Sequence, residues 1–510
     1  MSNARHRVII IGAGIGGLAA AARLAHAGHE VEIFEKDSGP GGRCGRLSVD
    51  GFHFDTGPTI LLMPEVLEET FASVGRKVSD YLKLHRCDPN YRIHFHDGSD
   101  VTFSTDLVGM QRELERIEPG SFSPYLKFLA KGKKQYQVSV ERFVSRNFDS
   151  AADFFTPANL WNAWKIDAHR RMYAYVSDSF SDERLRAALT FQTMYLGISP
   201  YDSPAVYGLL PFTELAVGVW FPQGGLYAVP KALEKVCLEE GVRIHYRSPV
   251  AKVLEEEGRA SAVLLADGTR VEADLVLINA DLPWAYKNLL KDTSAQLPKV
   301  EKLKYTSSAF MMYLGVRRKY PELEHHNVIF GSDYKGSFDD IFKNGKVPDE
   351  PSFYVNAHAH TDPSLAPEGK DAIYVLVPVP NREAKIDWRV EAPKLRAKIF
   401  ARLAKLGFPD LEKDIEIERT FTPDDYETQL NLERGAAFGL SHNITQVGPF
   451  RPQNVDKSIK NLFFVGASTQ PGTGIPMVML SAKLVAERIA TFTAKHAPRE
   501  HAPTKGAVAA

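Results

Sequence analysis

Residues 7–36 read Arg7-Val-Ile-Ile-Ile-Gly-Ala-Gly-Ile-Gly-Gly-Leu-Ala-Ala-Ala-Ala-Arg-Leu-Ala-His-Ala-Gly-His-Glu-Val-Glu-Ile-Phe-Glu-Lys36. The run 8–11 is wholly apolar, as a parallel strand buried on both faces requires. Gly12, Gly14 and Gly17 follow at GxGxxG spacing. Gly12 permits a tight turn, Gly14 lets the backbone approach a pyrophosphate, and Gly17 lets the next helix pack on the strand. Ala13, Ile15 and Gly16 complete the turn, where free N–H groups and the helix dipole hold phosphate charge. Leu18, Ala19, Ala22 and Leu24 fall on that helix and Gly28 ends it. The run 31–34 is a second strand, closed by Glu35 and followed by Lys36. A carboxylate there hydrogen-bonds ribose hydroxyls and repels a 2′-phosphate, which argues against NADP. Strand, glycine turn, small-residue helix and acidic strand end form one βαβ unit, so the chain opens as a Rossmann-type nucleotide fold.

The segments around this unit point to FAD over NAD. Residues 39–43, Gly-Pro-Gly-Gly-Arg, lie close behind the second strand. Gly41 and Gly42 let the chain pass the pyrophosphate again, and Arg43 is placed to pair with it. Residues 55–59, Asp-Thr-Gly-Pro-Thr, make a small-residue turn suited to an isoalloxazine neighbour, through Gly57, Pro58 and Thr59. At the other end of the chain, 461–476 reads Asn-Leu-Phe-Phe-Val-Gly-Ala-Ser-Thr-Gln-Pro-Gly-Thr-Gly-Ile-Pro. The run 463–465 is a strand, and Gly466, Ala467, Gly472 and Gly474 leave backbone open to a flat ring. Ile475 and Pro476 start a helix, where the missing proline N–H costs nothing. N–H groups at that start are suited to a flavin pyrimidine oxygen and to negative charge on a reduced ring. Val250, within the β-rich segment 240–280, completes the candidate cofactor contacts.

Composition narrows the class. The chain has 510 residues, 44% hydrophobic and 25% charged, enough for two or three domains and a large core. Lys plus Arg number 62 and Asp plus Glu 63, so no basic excess recommends a nucleic-acid partner. Cys44, Cys87 and Cys237 are far apart and form no CxxC, which speaks against a disulfide framework or thiolate metal site and fits a reducing compartment. No stretch of 18 apolar residues is present to span a bilayer. That leaves open lying on a membrane surface.

The pattern divides the chain. Residues 105–225 read as helical. Short β-branched runs return at 242–246, 262–265, 270–271 and 275–278, with Asp267-Gly268 as a hairpin turn. Strands are expected at 308–316, 352–358 and 372–379, with a helix at 392–406. Because nucleotide motifs occur at both ends, the expected FAD-binding domain is discontinuous: 1–85, 230–300 and 440–492. The expected substrate domain takes 86–229 and 301–439, including the helical lobe 105–225. The Ala-, Pro- and charge-rich tail 493–510 is expected to be disordered.

At this point the chain resembles the phytoene desaturase family, the bacterial and fungal type of FAD-dependent carotenoid dehydrogenase, from Val8 to about Ile489. The N-terminal fingerprint and the 39–43 loop are shared with a wider flavoprotein superfamily that includes amine oxidases. The specific match is 461–476, joined by 51–59, 220–225 (Trp-Phe-Pro-Gln-Gly-Gly), 364–369 and 450–452. Many members carry His where this chain has Gln470. The resemblance implies an α/β fold: a Rossmann-type FAD-binding domain, an α+β substrate domain and a helical membrane-facing lobe. It implies desaturation of phytoene or a related apolar carotenoid precursor, by hydride transfer to the flavin and then proton loss, with an electron acceptor such as quinone or oxygen. It also implies a peripheral site on the cytoplasmic side of a membrane. Alternatives in the same superfamily are a carotenoid oxidase, an isomerase or a retinoid saturase. A non-catalytic isoprenoid-binding protein and an amine oxidase are further readings. Oligomeric state stays open.

Such chemistry needs positioning and cation stabilisation more than a strong acid, and no catalytic triad is legible. Asp153, Arg451 and Gln470 are the candidate polar groups, each with a structural reading beside it. His94-x-His96 and His358-x-His360 place imidazoles at strand spacing without a carboxylate or Cys partner, so no metal is assigned. Two stretches are candidates to meet lipid: Trp161, Trp164, Lys165, Arg170, Arg171, Tyr173 and Tyr175, and the run 209–221 with Phe212, Leu215, Val219, Trp220 and Phe221. The bland reading of both is helical core.

Overall fold

The computed structural model describes residues 5–292 and 295–498. At its centre is a five-stranded parallel sheet in the order Leu462–Phe464, Leu275–Ile278, Arg7–Ile11, Glu30–Phe34, Arg243–His245. One register line crosses it through Phe463, Leu277, Ile10, Ile33 and Ile244. Ile9, Ile10, Leu277 and Ile33 are fully buried, as apolar strands between two covering layers should be. On one face lies the helix Ile15–His26, packed between the helices Ala228–Glu239 and Ile475–Thr493. Its row Ala19, Ala20, Ala21 and Ala22 lets these helices approach closely. Thus three distant stretches of chain meet in one sheet.

A second sheet has seven strands, ordered Ile415–Phe421, Ser308–Val316, Asp371–Val379, Phe353–Asn356, His326–Ile329, Tyr91–His94, Asp100–Phe103. Strand alternation splits the long Ser308–Val316 between two cores. Phe310, Met312 and Leu314 pack under the helix Trp388–Lys405, while Met311 and Tyr313 meet Phe52 and Phe54. Helices and turns from Leu107–Ile117 to Thr213–Val217 form the helical region, which ends in the strand Val219–Pro222. The hairpin at Asp267-Gly268 forms as expected: Gly268 has φ +86° and joins two antiparallel strands.

Several expectations need correction. The strand placed at 352–358 stops at Asn356, and His358–His360 is a 3₁₀ turn, so those imidazoles do not share a strand face. His96 likewise lies beyond the strand Tyr91–His94. The helix expected at 392–406 begins at Trp388 because Asp387 caps it, accepting from the Arg389 N–H at 3.1 Å. Thr493 still belongs to the last helix and the His496 ring stacks on Phe492 at 4.1 Å. The rest of the expected disordered tail, 499–510, lies outside the described residues.

Candidate active site

The first turn is built by contacts that leave no room for side chains. A Cβ on Gly17 would sit 2.3 Å from the Gly12 carbonyl oxygen, so this position holds helix against strand. Gly14 caps the helix Ile15–His26. Glu35, buried just past the second strand, accepts the Ala13 N–H at 2.7 Å and the Asp37 N–H at 2.9 Å. Burial raises its pKa while these N–H groups oppose the rise. Lys36 pairs with Asp37 at 2.8 Å.

The second glycine loop docks on the first: the Gly41 N–H donates to the Ala13 carbonyl at 2.9 Å. Arg43 follows, attracted by Asp281, which also accepts from the Ser468 hydroxyl and, at 3.3 Å, from the Glu433 N–H. The 55–59 turn hangs from tyrosines of the large sheet. Tyr374 OH donates to the Gly57 carbonyl at 3.1 Å, and Tyr354 OH lies 3.0 Å from Thr59 Oγ1. Asp55 accepts from the N–H groups of Leu226 and Tyr227 at 2.7 and 2.9 Å, and burial lifts its pKa to about 6.

At the C-terminal motif, Gly474 precedes the helix Ile475–Thr493 with φ +106°, and a Cβ there would meet no described atom within 4 Å. Gln470 Nε2 donates to the Gly448 carbonyl at 3.0 Å, while its Oε1 is buried without a hydrogen-bond partner. The fully buried Arg451 guanidinium donates to the carbonyls of Thr469 (2.8 Å), Ser441 (3.3 Å), Gln446 (3.4 Å) and Ala467. Burial lowers its pKa to about 10. This arginine clamps the motif from behind.

All these turns open on one cavity of about 980 Å³. Of the sequence-assigned residues, Gly12, Gly14, Ile15, Gly16, Glu35, Lys36, Gly42, Arg43, Gly57, Pro58, Thr59, Val250, Gly466, Ala467, Gln470, Gly474, Ile475 and Pro476 line it. Ala13, Gly17 and Arg451 stand behind it. Asp153 is exposed, bonded to Ser150 at 2.9 Å, and is not on the wall. The remainder of the wall is mostly apolar, drawn from both the helical region and the large sheet, for example Phe143, Phe154, Leu210, Phe338, Phe353 and Leu376. Phe155, Ile444 and Phe450 both line it and are exposed, which marks a rim.

Sequence reading passed over two groups here. Asn279 ends the strand Leu275–Ile278 and reaches into the glycine turn, its Nδ2 donating to the Gly12 carbonyl at 3.2 Å. The signal for it was its place at the carboxyl end of a buried strand, where α/β sheets bind ligands. Glu214 is fully buried beside Tyr91, whose OH donates to Oε2 at 3.2 Å, and beside Tyr195, which lines the cavity. Burial lifts the Glu214 carboxyl to about 7.

Comparison with known proteins accords with this geometry. The family model "Flavin containing amine oxidoreductase" matches residues 15–490. A zeta-carotene-forming phytoene desaturase of Myxococcus xanthus is 63% identical over 487 residues, 95% of this chain and 94% of its own length. A phytoene desaturase of Phycomyces blakesleeanus is 40% identical over 493 residues, 94% of this chain and 85% of its own. Among solved structures, a redesigned putrescine oxidase superposes with a TM-score of 0.64 at 14% identity, covering 96% of this chain and 99% of that one, a likeness of fold alone.

Proposed function

The chain belongs to the phytoene desaturase family of flavin-containing amine oxidoreductases, and from that premise we propose that this cavity holds FAD at the glycine turns and a carotenoid precursor along the apolar wall. The protein is an FAD-dependent oxidoreductase acting on CH–CH bonds, and its reaction is the desaturation of phytoene or a related precursor. One observation carries the assignment of the site: the glycine motifs from both chain ends and a long apolar wall line the same cavity.

The donor set fits the cofactor. The helix start at Gly14 and the Arg43 guanidinium suit a pyrophosphate, and Glu35 suits ribose hydroxyls. The open face at Gly474, where a Cβ would meet empty space, suits a flat ring. FAD, when bound, supplies a two-electron acceptor for hydrogen removed from a C–C single bond. The chain's own residues do the rest. The apolar wall aligns the polyene and keeps water out. Gln470, a polar residue of the cavity wall held by its Nε2 bond to the Gly448 carbonyl, is a candidate to stabilise positive charge on the substrate. Glu214, behind Tyr195 and near neutrality in its titration, is suited to take up the released proton.

The same reading covers the finer points of domain plan and membrane. The stretches 1–85, 230–300 and 440–492 make the cofactor domain, an assignment supported by the shared five-stranded sheet. The helical region brings the cavity rim to lipid from the cytoplasmic side. Trp161 and Trp164, 54% and 59% exposed, stack with ring centroids 5.1 Å apart on the helix Pro157–Lys165, which also carries the exposed Leu160. The second stretch proposed for this role does not serve. Phe221 is fully buried, Trp220 is only half-buried in a strand, and Leu215 is core. No described helix is long and apolar enough to cross a membrane. A quinone or oxygen reoxidises the cofactor.

The test is incubation of the purified protein with FAD and phytoene in liposomes, with products resolved by chromatography. New conjugated carotenes are expected, and unchanged phytoene would refute the reading.

A further inference from the structure

We propose that Cys87, His325 and His326 form a buried site for a monovalent thiophilic cation of the copper(I) class. Cys87 ends the strand Leu84–Cys87, and the two histidines stand at the entry to the strand His326–Ile329. The thiol sulfur and one nitrogen from each ring all lie within 4.8 Å of one another. Sharing one ion needs roughly 3.3–3.8 Å between ligand atoms at ordinary metal–ligand distances, so small side-chain rotations close the site. Neighbours on a regular strand point to opposite faces. His325 precedes the strand, and its ring centroid lies 4.2 Å from that of His326.

Each ring is already oriented for ligation. His325 Nδ1 lies 2.5 Å from Thr361 Oγ1, and His326 Nδ1 lies 2.6 Å from Tyr354 OH. The nitrogen each has to spare is Nε2, and both Nε2 atoms are buried without a hydrogen-bond partner. The residues themselves are 6% and 0% exposed. On His326 the Asn356 amide nitrogen also lies 3.3 Å from Nδ1, so ligation at Nε2 moves the ring proton to Nδ1, to be donated to Tyr354 OH; an Nδ1–H so held, with Nε2 on the metal, is the arrangement of metal-bound histidines. The thiols of Cys44 and Cys237 donate to the carbonyls of Leu226 and Leu18. Cys87, equally buried, has no such acceptor among the described residues.

Charge decides the cation. An imidazole binds a metal as a neutral donor, so the thiolate would be the site's single negative group, and Phe221 packs against His325 at 4.6 Å. A divalent ion with one thiolate would leave a net positive charge shielded from water, which is costly. Copper(I) with one thiolate is neutral, and thiolate with imidazole suits its softness. On binding, the S–H bond of Cys87 breaks, its proton leaves to solvent and a sulfur–metal bond forms, with no change of oxidation state. The ion would staple the two-stranded sheet of Leu84–Cys87 to the seven-stranded sheet.

The FAD-loaded protein is titrated anaerobically with copper(I) against bicinchoninate, followed by X-ray absorption at the copper edge. One equivalent should be held by one sulfur and two nitrogens, with a raised unfolding temperature. Cys87→Ser and His326→Gln should each weaken retention at least tenfold while keeping the flavin spectrum. Should those variants not fold, the sulfur and nitrogen count in the unsubstituted protein decides. No retained copper, retention unchanged in Cys87→Ser, or preference for zinc(II) under the same competition would overturn the proposal.

Discussion

The side-chain amide of Asn279 donates to the carbonyl oxygen of Gly12 across 3.2 Å, tying the end of one central strand to the glycine turn of its neighbour. The same Nδ2 would lie 2.8 Å from a Cβ on Gly14, so Asn279 fills the space under the turn. Asn279→Ala removes one part-buried hydrogen bond, a net loss of about 1 kcal/mol, and loosens the turn. FAD affinity measured by flavin fluorescence should fall about tenfold. An unchanged Kd would remove Asn279 from the site.

Gly474 has φ +106° and opens on the cavity. Gly474→Val strains the backbone and puts a branched side chain where the ring is proposed to lie. The variant should purify colourless yet folded by circular dichroism. A full flavin spectrum would move the ring elsewhere.

Glu214 gives a pH signature. Its carboxyl titrates near 7 in the folded protein against 4.5 in the unfolded chain, because burial disfavours the charge. A raised carboxyl pKa contributes stability that is complete below the unfolded value and lost as pH rises through the folded one. Relative to Glu214→Gln, the unsubstituted protein should lose on the order of 3 kcal/mol between about pH 4 and 8. Urea midpoints of the two proteins across that range measure it. Parallel curves would show that Glu214 does not titrate there.

Membrane contact through Trp161 and Trp164 is tested by flotation with liposomes. Hydrophobic insertion should persist at 1 M salt, where the Debye length is about 3 Å. Trp161→Ser with Trp164→Ser should leave the protein at the bottom of the gradient while flavin content stays the same. Flotation of the double variant at the unsubstituted level would exclude these anchors.

The parts of this molecule legible in the sequence are those where one local pattern dictates one conformation. The glycine spacing at 12–17, the acidic end at Glu35 and the hairpin at Asp267-Gly268 are of this kind. The Asp50-Gly51 turn carries the same signal, with φ +48° and +81° between two paired strands. What stayed hidden depends on tertiary placement. Asn279 matters through the strand beside it, and Arg451 turned out to bind backbone carbonyls instead of the cavity. Trp220 and Phe221 look like Trp161 and Trp164 in composition, yet the strand Val219–Pro222 pairs with Leu84–Cys87 and takes Phe221 into the core.

The most direct test of the central claim is an anaerobic single turnover. FAD-loaded protein is mixed with phytoene liposomes in the absence of any acceptor, and flavin absorbance is followed while products are quantified. The account predicts bleaching of the flavin in step with one new double bond per FAD, and no further product until an acceptor is added. Product formed without bleaching, or bleaching without a desaturated product, would contradict it.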